Sequence, residues 1–286
     1  MNVFLDDSWV EVAHRLALGI EPIDAIRWTL LPRYVDVMFD GAPLPLPPRL
    51  WPPGTSRWYP PNVLRRVERH ESGRFAVRLG DALESPVALR FDDRRRRYVP
   101  RRIEFPITEL ADVVAAEQTG VDVTVEARTR RPALYPSAAY DTVSTATGIR
   151  GRVQHPGGSP ARWVRVEAIA TDLQDALGGR AHGDDRGEFL LILGPIPGDI
   201  GALPQNIDIA VDVTVRGPAP PPTPLPEVAH TDPLWDLPLE SVDPADPVDD
   251  VSAGIKPVAT YTRSAQRGLT LPLGRITSIR QPFVLS

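Results

Sequence analysis

Residues 183–192 read Gly183-Asp184-Asp185-Arg186-Gly187-Glu188-Phe189-Leu190-Leu191-Ile192. Acidic side chains accept hydrogen bonds from turn amides, Gly187 supplies a positive φ, and Phe189 opens a return strand facing a core. The stretch reads as a β-hairpin. A second lies upstream, His70-Glu71-Ser72-Gly73-Arg74-Phe75-Ala76-Val77-Arg78-Leu79. Small β-sandwiches are assembled from such hairpins, so two of them predict two sandwiches in tandem.

The flanking sequence extends both units. Tyr34–Phe39, Val63–Arg69, Arg74–Leu79, Pro86–Phe91 and Ile103–Ile107 read as strands. Downstream, Ile149–Val153 precedes a turn at Gly157-Gly158-Ser159-Pro160. Val164, Val166 and Ala168 then alternate with Arg165 and Glu167, as in a strand with one buried face. Ile207–Val215 is the strongest strand signal. Helix is expected at 6–18, where Trp9, Val12, Ala13 and Leu16 recur at helical spacing, as a short turn over Ile23–Trp28, and over Leu110–Glu117. Val121–Val125 alternates as a further strand.

The chain holds 33 prolines among 286 residues, well above the usual ~5%. Proline interrupts helices and central strands, so long loops and extended segments are expected. One such loop, 43–61, interleaves prolines with Trp51, Trp58 and Tyr59. The other is Pro218–Asp250, with ten prolines, eight acids and no lysine or arginine. It cannot form its own core, yet Leu234, Trp235 and Leu237 are too apolar for a solvated linker. It reads as an arm lying along another surface, of its own chain or of a neighbour.

The expected organisation is an N-terminal helical segment (1–33), a first sandwich (34–107), a connector (108–147), a second sandwich (148–217), the acidic arm (218–254) and a C-terminal strand segment (255–286). No cysteine is present, which excludes disulfides and thiolate metal sites. The first residues carry Asp6 and Asp7 where a signal peptide needs a basic start, and no apolar run reaches the ~18 residues of a membrane span. A cytoplasmic protein is expected.

Gly151-Arg152-Val153, Pro160-Ala161, Val164–Ala168 and the Asp184–Leu190 turn together resemble the carboxypeptidase regulatory-like domain. The resemblance covers about 148–216 and implies a transthyretin-like sandwich. It carries no catalytic residues. A fainter copy over 34–107 shows in Asp40-Gly41-Ala42-Pro43-Leu44, Ser72–Phe75 and Pro86–Phe91. The implied fold class is mainly β, two tandem immunoglobulin- or transthyretin-like sandwiches with a short N-terminal helix and an extended acidic arm.

No reaction chemistry stands out. The five histidines form no close pair, and neither a Gly-x-Ser-x-Gly nucleophile motif nor a phosphate-cradling Gly-rich loop occurs. No enzyme activity, cofactor or metal is expected. Net charge is −5, and Lys256 is the single lysine of 32 basic residues. A nucleic-acid partner is not expected from that balance. Arg94, Arg95, Arg96, Arg97, Arg101 and Arg102 nevertheless cluster. Three readings stand: a loop part-neutralised by Asp92 and Asp93, a dock for an acidic segment such as 218–250, or a phosphate-backbone contact.

With Trp51, Trp58, Tyr59, Leu234, Trp235 and Leu237, these arginines are the candidate protein contacts. They suit a structural component that binds other subunits of a larger assembly in several copies. The whole chain is similar in organisation to accessory proteins of contractile injection systems and phage-tail-like particles, which implies a place at a baseplate or cap. The alternative is a carbohydrate- or cell-wall-binding module stacking sugars on Trp51, Trp58, Tyr59 and Trp163.

Overall fold

The Asp184–Phe189 turn is organised by one side chain. Asp184 is buried, and its Oδ1 accepts the backbone N–H groups of Arg186 and Glu188, each at 2.9 Å. Gly187 has φ 70°, in the left-handed region. A Cβ there would lie 2.4 Å from the Val153 carbonyl oxygen. Conformation and space both require glycine. The upstream turn closes with Gly73 at φ 87°, its N–H donating to the His70 carbonyl at 3.0 Å.

The structure, a computed structural model, describes residues 15–31, 35–40, 67–79, 83–120, 128–143, 145–171, 178–194, 208–244, 249–256 and 258–286. The first half forms β1 (Leu16–Ile20), β2 (Ile23–Asp24), β3 (Val35–Phe39), β4 (Glu68–Arg69), β5 (Phe75–Arg78), β6 (Val87–Asp93), β7 (Arg101–Phe105), α1 (Leu110–Gln118), β8 (Thr129–Arg130) and β9 (Ala133–Leu134). The second half forms β10 (Gly148–Gln154), β11 (Arg165–Ala170), β12 (Gly178–His182), β13 (Glu188–Ile192), β14 (Asp208–Gly217), β15 (Leu239–Ser241), β16 (Arg263–Pro272), β17 (Ile276–Ser278) and β18 (Phe283–Val284). The protein is mainly β.

Two hydrophobic cores follow from strand alternation. In β6 every second side chain is buried, the period-2 pattern of a strand. Sheets β4-β5-β1-β8 and β15-β7-β6-β3 share the first core, which includes Ile20, Val37, Phe75, Leu89, Phe91 and Phe105. Sheets β12-β11-β14-β16 and β13-β10-β17, with β18 also on β10, share the second, around Ile149, Val166, Phe189, Val213 and Phe283. As the alternation in β11 predicts, Val166 and Ala168 face this core and Arg165 and Glu167 face away.

The C-terminal segment closes the second core from across the arm. β16 pairs antiparallel with β14 over ten residues, from Gly217↔Arg263 to Asp208↔Pro272. β17 and β18 run parallel to β10. The halves also touch: Leu190 of β13 joins the first core, and Val99, Trp163 and Leu237 form a third small cluster.

Two helical expectations give way to strand. Residues 16–20 form β1, where Ala17, Leu18 and Ile20 are all buried. A strand buried on both faces loses its period and mimics a helical run. A Cβ on Gly19 would meet Thr129 Oγ1 at 2.9 Å, so the glycine admits the neighbouring strand β8. The rest of that expected helix lies outside the described residues. The segment from Ile23 is β2 and a turn, because Asp24 Oδ1 captures the backbone N–H groups of Ile26 and Arg27 at 2.8 and 2.9 Å. The helix read at 110–117 forms as α1, with Val113 buried. The expected strand 121–125 and the loop 43–61 with Trp51, Trp58 and Tyr59 lie outside the described residues. No helix among the described residues is long and apolar enough to cross a membrane.

Gly187→Ala should destabilise the protein by about 2–4 kcal/mol, from left-handed backbone strain plus the clash with Val153. Denaturant unfolding checks this, and Gly157→Ala, which meets no atom within 4 Å, should change stability far less.

Candidate functional site

The acidic arm lies on its own chain, and arginines hold it there. β15 pairs parallel with β7, placing Glu240 opposite Ile103 and beside Arg101. Arg101 is fully buried. Its Nε and Nη2 donate to the two oxygens of Glu240 at 3.0 and 2.8 Å. Its remaining N–H groups reach the carbonyls of Ala133, Ser252 and Val251. All five donors are used, the condition under which a buried guanidinium is tolerated. Arg165 Nη2 approaches Glu240 Oε1 from the second half at 2.9 Å. One carboxylate therefore joins β7, the arm and β11.

Burial alone would raise the Glu240 carboxyl, but Arg101 and Arg165 outweigh it and hold it below the usual carboxylate range. Further along the arm, Asp236 accepts from Trp163 Nε1 at 2.7 Å and from Arg162 Nη2 at 3.0 Å. Arg90 bridges Asp40 and Asp232. Leu237 is buried against Trp163, Leu234 packs on the same cluster, and Trp235 is half-buried.

The arm ends in a turn that the sequence reading passed over. His182 Nε2 lies 3.1 Å from the Gly254 carbonyl, and its ring stacks on Tyr135 at 3.9 Å. Tyr135 donates to Ala253 at 3.1 Å. Gly254 has φ 71°, and a Cβ there would meet Tyr135 Cε2 at 2.6 Å. The signal for this seat was the lone glycine of Val251-Ser252-Ala253-Gly254. Burial first, then Arg165 and Arg101, push the His182 imidazole well below its ordinary range. The folded state holds it neutral.

The arginine cluster divides. Arg101 and Arg102 meet the arm, Arg102 through the Leu237 carbonyl at 3.5 Å, and Arg102 also pairs with Asp40 of the first half. Arg94 pairs with Asp36, Arg96 with Asp185 and Arg97 with Asp141, and the Arg95 backbone N–H donates to Asp93. Within this chain those four serve their own loop and its neighbours. Trp163 is 1% exposed, so it offers no sugar platform.

A separate cleft of about 290 Å³ opens beside Asp24, Arg27, Arg97, Tyr98 and Tyr140. Asp24 Oδ2 accepts the hydroxyls of Tyr98 and Tyr140 at 2.8 and 2.6 Å. Burial, then Asp24, push both phenols above their ordinary range. With two turn amides also bound, Asp24 is committed to holding the cleft wall. The carboxylates of the 184–188 turn are likewise engaged, Asp184 and Glu188 with Arg186 and Asp185 with Arg96. Among the described residues no group of three or more acids or histidines is placed to hold a metal ion.

No family model, no curated protein and no solved structure matches this chain.

Glu240→Gln should cost about 3–5 kcal/mol, because two buried guanidinium groups lose their counter-charge. Arg94→Glu, at a pair whose arginine side chain is 73% exposed, should cost less than about 1 kcal/mol. Chemical denaturation of both variants reads the contrast. Stability should also fall with pH in two stages. Unfolded histidine takes up protons near pH ~6.5 while His182 stays neutral, so its contribution is full above that pH and declines below it. The Glu240 contribution is lost at lower pH, starting near ~4.3. His182→Gln should shrink the upper stage to the smaller part from His155, whose imidazole burial also lowers.

Proposed function

We propose that this chain is a non-enzymatic structural subunit of a multiprotein particle. In this reading the two cores are tandem transthyretin-like sandwiches, and the acidic arm clamps one against the other. The clamp leaves other surfaces to meet neighbours.

One observation carries the reading. β16 is ten residues long and lies at the edge of its sheet. The Ser264 carbonyl accepts the Ser286 N–H at 3.1 Å, so even-numbered residues direct their backbone groups away from β14. Among the described residues, no hydrogen bond engages the outward groups of Gln266, Gly268 and Thr270. All three are exposed and uncharged. Proteins ordinarily guard such an edge with charge, proline or a bulge. Here Ser286 covers one end and Pro272 closes the other.

The open stretch is self-complementary. Antiparallel pairing of two copies about Gly268 sets Gln266 opposite Thr270 and Arg267 opposite Leu269, with no like charges facing. The finer reading is an accessory subunit at the baseplate or cap of a contractile, phage-tail-like injection system. It rests on the organisation of hairpin modules with extended segments.

A tagged chain purified from its source cell and weighed by native mass spectrometry tests the proposal. An assembly of several copies or several partners is expected, reduced when Gln266 and Thr270 are both changed to Lys. A single 31.4 kDa species for both proteins overturns it. The cleft beside Asp24, with Trp28 63% exposed on the adjoining turn, favours a second reading, a module for small polar ligands such as sugars. Glycan binding that Tyr140→Phe and Trp28→Ala abolish, in a chain that stays monomeric, decides for it.

A further inference from the structure

Where the arm ends, it covers a cavity of about 60 Å³ on the outer face of the second half. A water molecule takes about 30 Å³ of liquid, so the space suits one small ion. Strand register builds its floor. His182 of β12, Arg165 of β11 and Arg216 of β14 lie side by side in one row. The next row holds the Arg180–Glu167 pair, closed at 2.8 Å, and Thr214. The Gly254 turn forms the roof.

Among the described residues, two buried polar atoms here have no hydrogen-bond partner, Nδ1 of His182 and Nε of Arg165. His182 is 1% exposed, and its other nitrogen is already taken by Gly254. An unsatisfied buried polar atom costs about 1–3 kcal/mol. With Nε2–H on the Gly254 carbonyl, the neutral His182 ring leaves Nδ1 an acceptor, so it is the Arg165 Nε donor that calls for an accepting ligand. Arg216 makes no ion pair among the described residues. Glu167 is the one carboxylate of the lining, and it is engaged by Arg180. Glu240, just beyond, is shared between Arg101 and Arg165. Four guanidinium groups thus stand around two carboxylates. Asp212 lies one row further along β14 and does not line the space.

We propose that this cavity is a binding site for one tetrahedral oxyanion, phosphate or sulfate, held by Arg165 and Arg216 under the Gly254 turn. Guanidinium groups match such anions with paired, charge-assisted hydrogen bonds. Thr214 supplies a hydroxyl donor at the mouth. Because the roof belongs to the arm, the bound anion would tie the arm to β11 and β14. Occupancy would therefore stabilise the docked arm by mass action.

Thermal unfolding of the full chain in inorganic phosphate, sulfate and chloride at matched ionic strength tests the site. Phosphate and sulfate should raise the midpoint with a saturating concentration dependence, and chloride should not. Arg216→Ala removes an exposed side chain with no ion pair among the described residues, so the variant should fold normally. It should weaken phosphate binding by about tenfold or more, the worth of one charge-assisted contact. Calorimetric titration with phosphate and with a phosphoserine peptide separates a free ion from a tethered group. Equal midpoint shifts in chloride and phosphate, or undiminished phosphate binding by Arg216→Ala, overturn the proposal.

Discussion

The contact between Glu240 and the guanidinium groups of Arg101 and Arg165 is the constraint on which the rest of the structure turns. Each partner comes from a different part of the chain: β7 of the first half, β15 of the arm and β11 of the second half. Desolvating three charges is expensive, and a buried ion pair seldom adds much net stability over an apolar filling. Its value lies in position. Only one register of the arm puts a carboxylate between both arginines while three carbonyls satisfy the remaining donors of Arg101. That register also inserts Leu237 beside Trp163, sets Asp236 on the indole N–H and brings Gly254 over His182.

Much of the scaffold was legible in the residues. Turn glycines, the phenylalanine after each, and the alternation in β11 and β14 are local signals, and local signals survive folding. Where burial erased the pattern, the reading failed. Leu16–Ile20 packs on both faces, so its period vanished and its first residues, 16–18, passed for the end of a helix. Around Asp24 a side chain competes with the backbone for amides, which mimics a helix start and yields a turn.

The candidate site was legible in part for a related reason. Charge complementarity between the arginine run and the acidic arm is visible in composition. Which arginines meet the arm is not. Arg101 sits in a strand with its side chain turned inward, whereas Arg94–Arg97 occupy the loop before it and find nearer acids. Tyr135 and His182 carry no spacing that links them. Their stack exists because Gly254, far along the chain, leaves room for it. Long-range packing of this kind leaves a trace only in the small residue that permits it.

If the arm is a clamp docked within one chain, then residues 99–105, 237–244 and 249–254 form one cooperative unit with Glu240 at its centre. Hydrogen exchange of the full chain, compared with Glu240→Gln at two protein concentrations, measures this most directly. The account predicts slow exchange across all three segments in the natural chain, unchanged by dilution, and loss of protection in them together in the variant. Fast exchange of 237–244 and 249–254 in the natural chain, or protection that disappears on dilution, would contradict it.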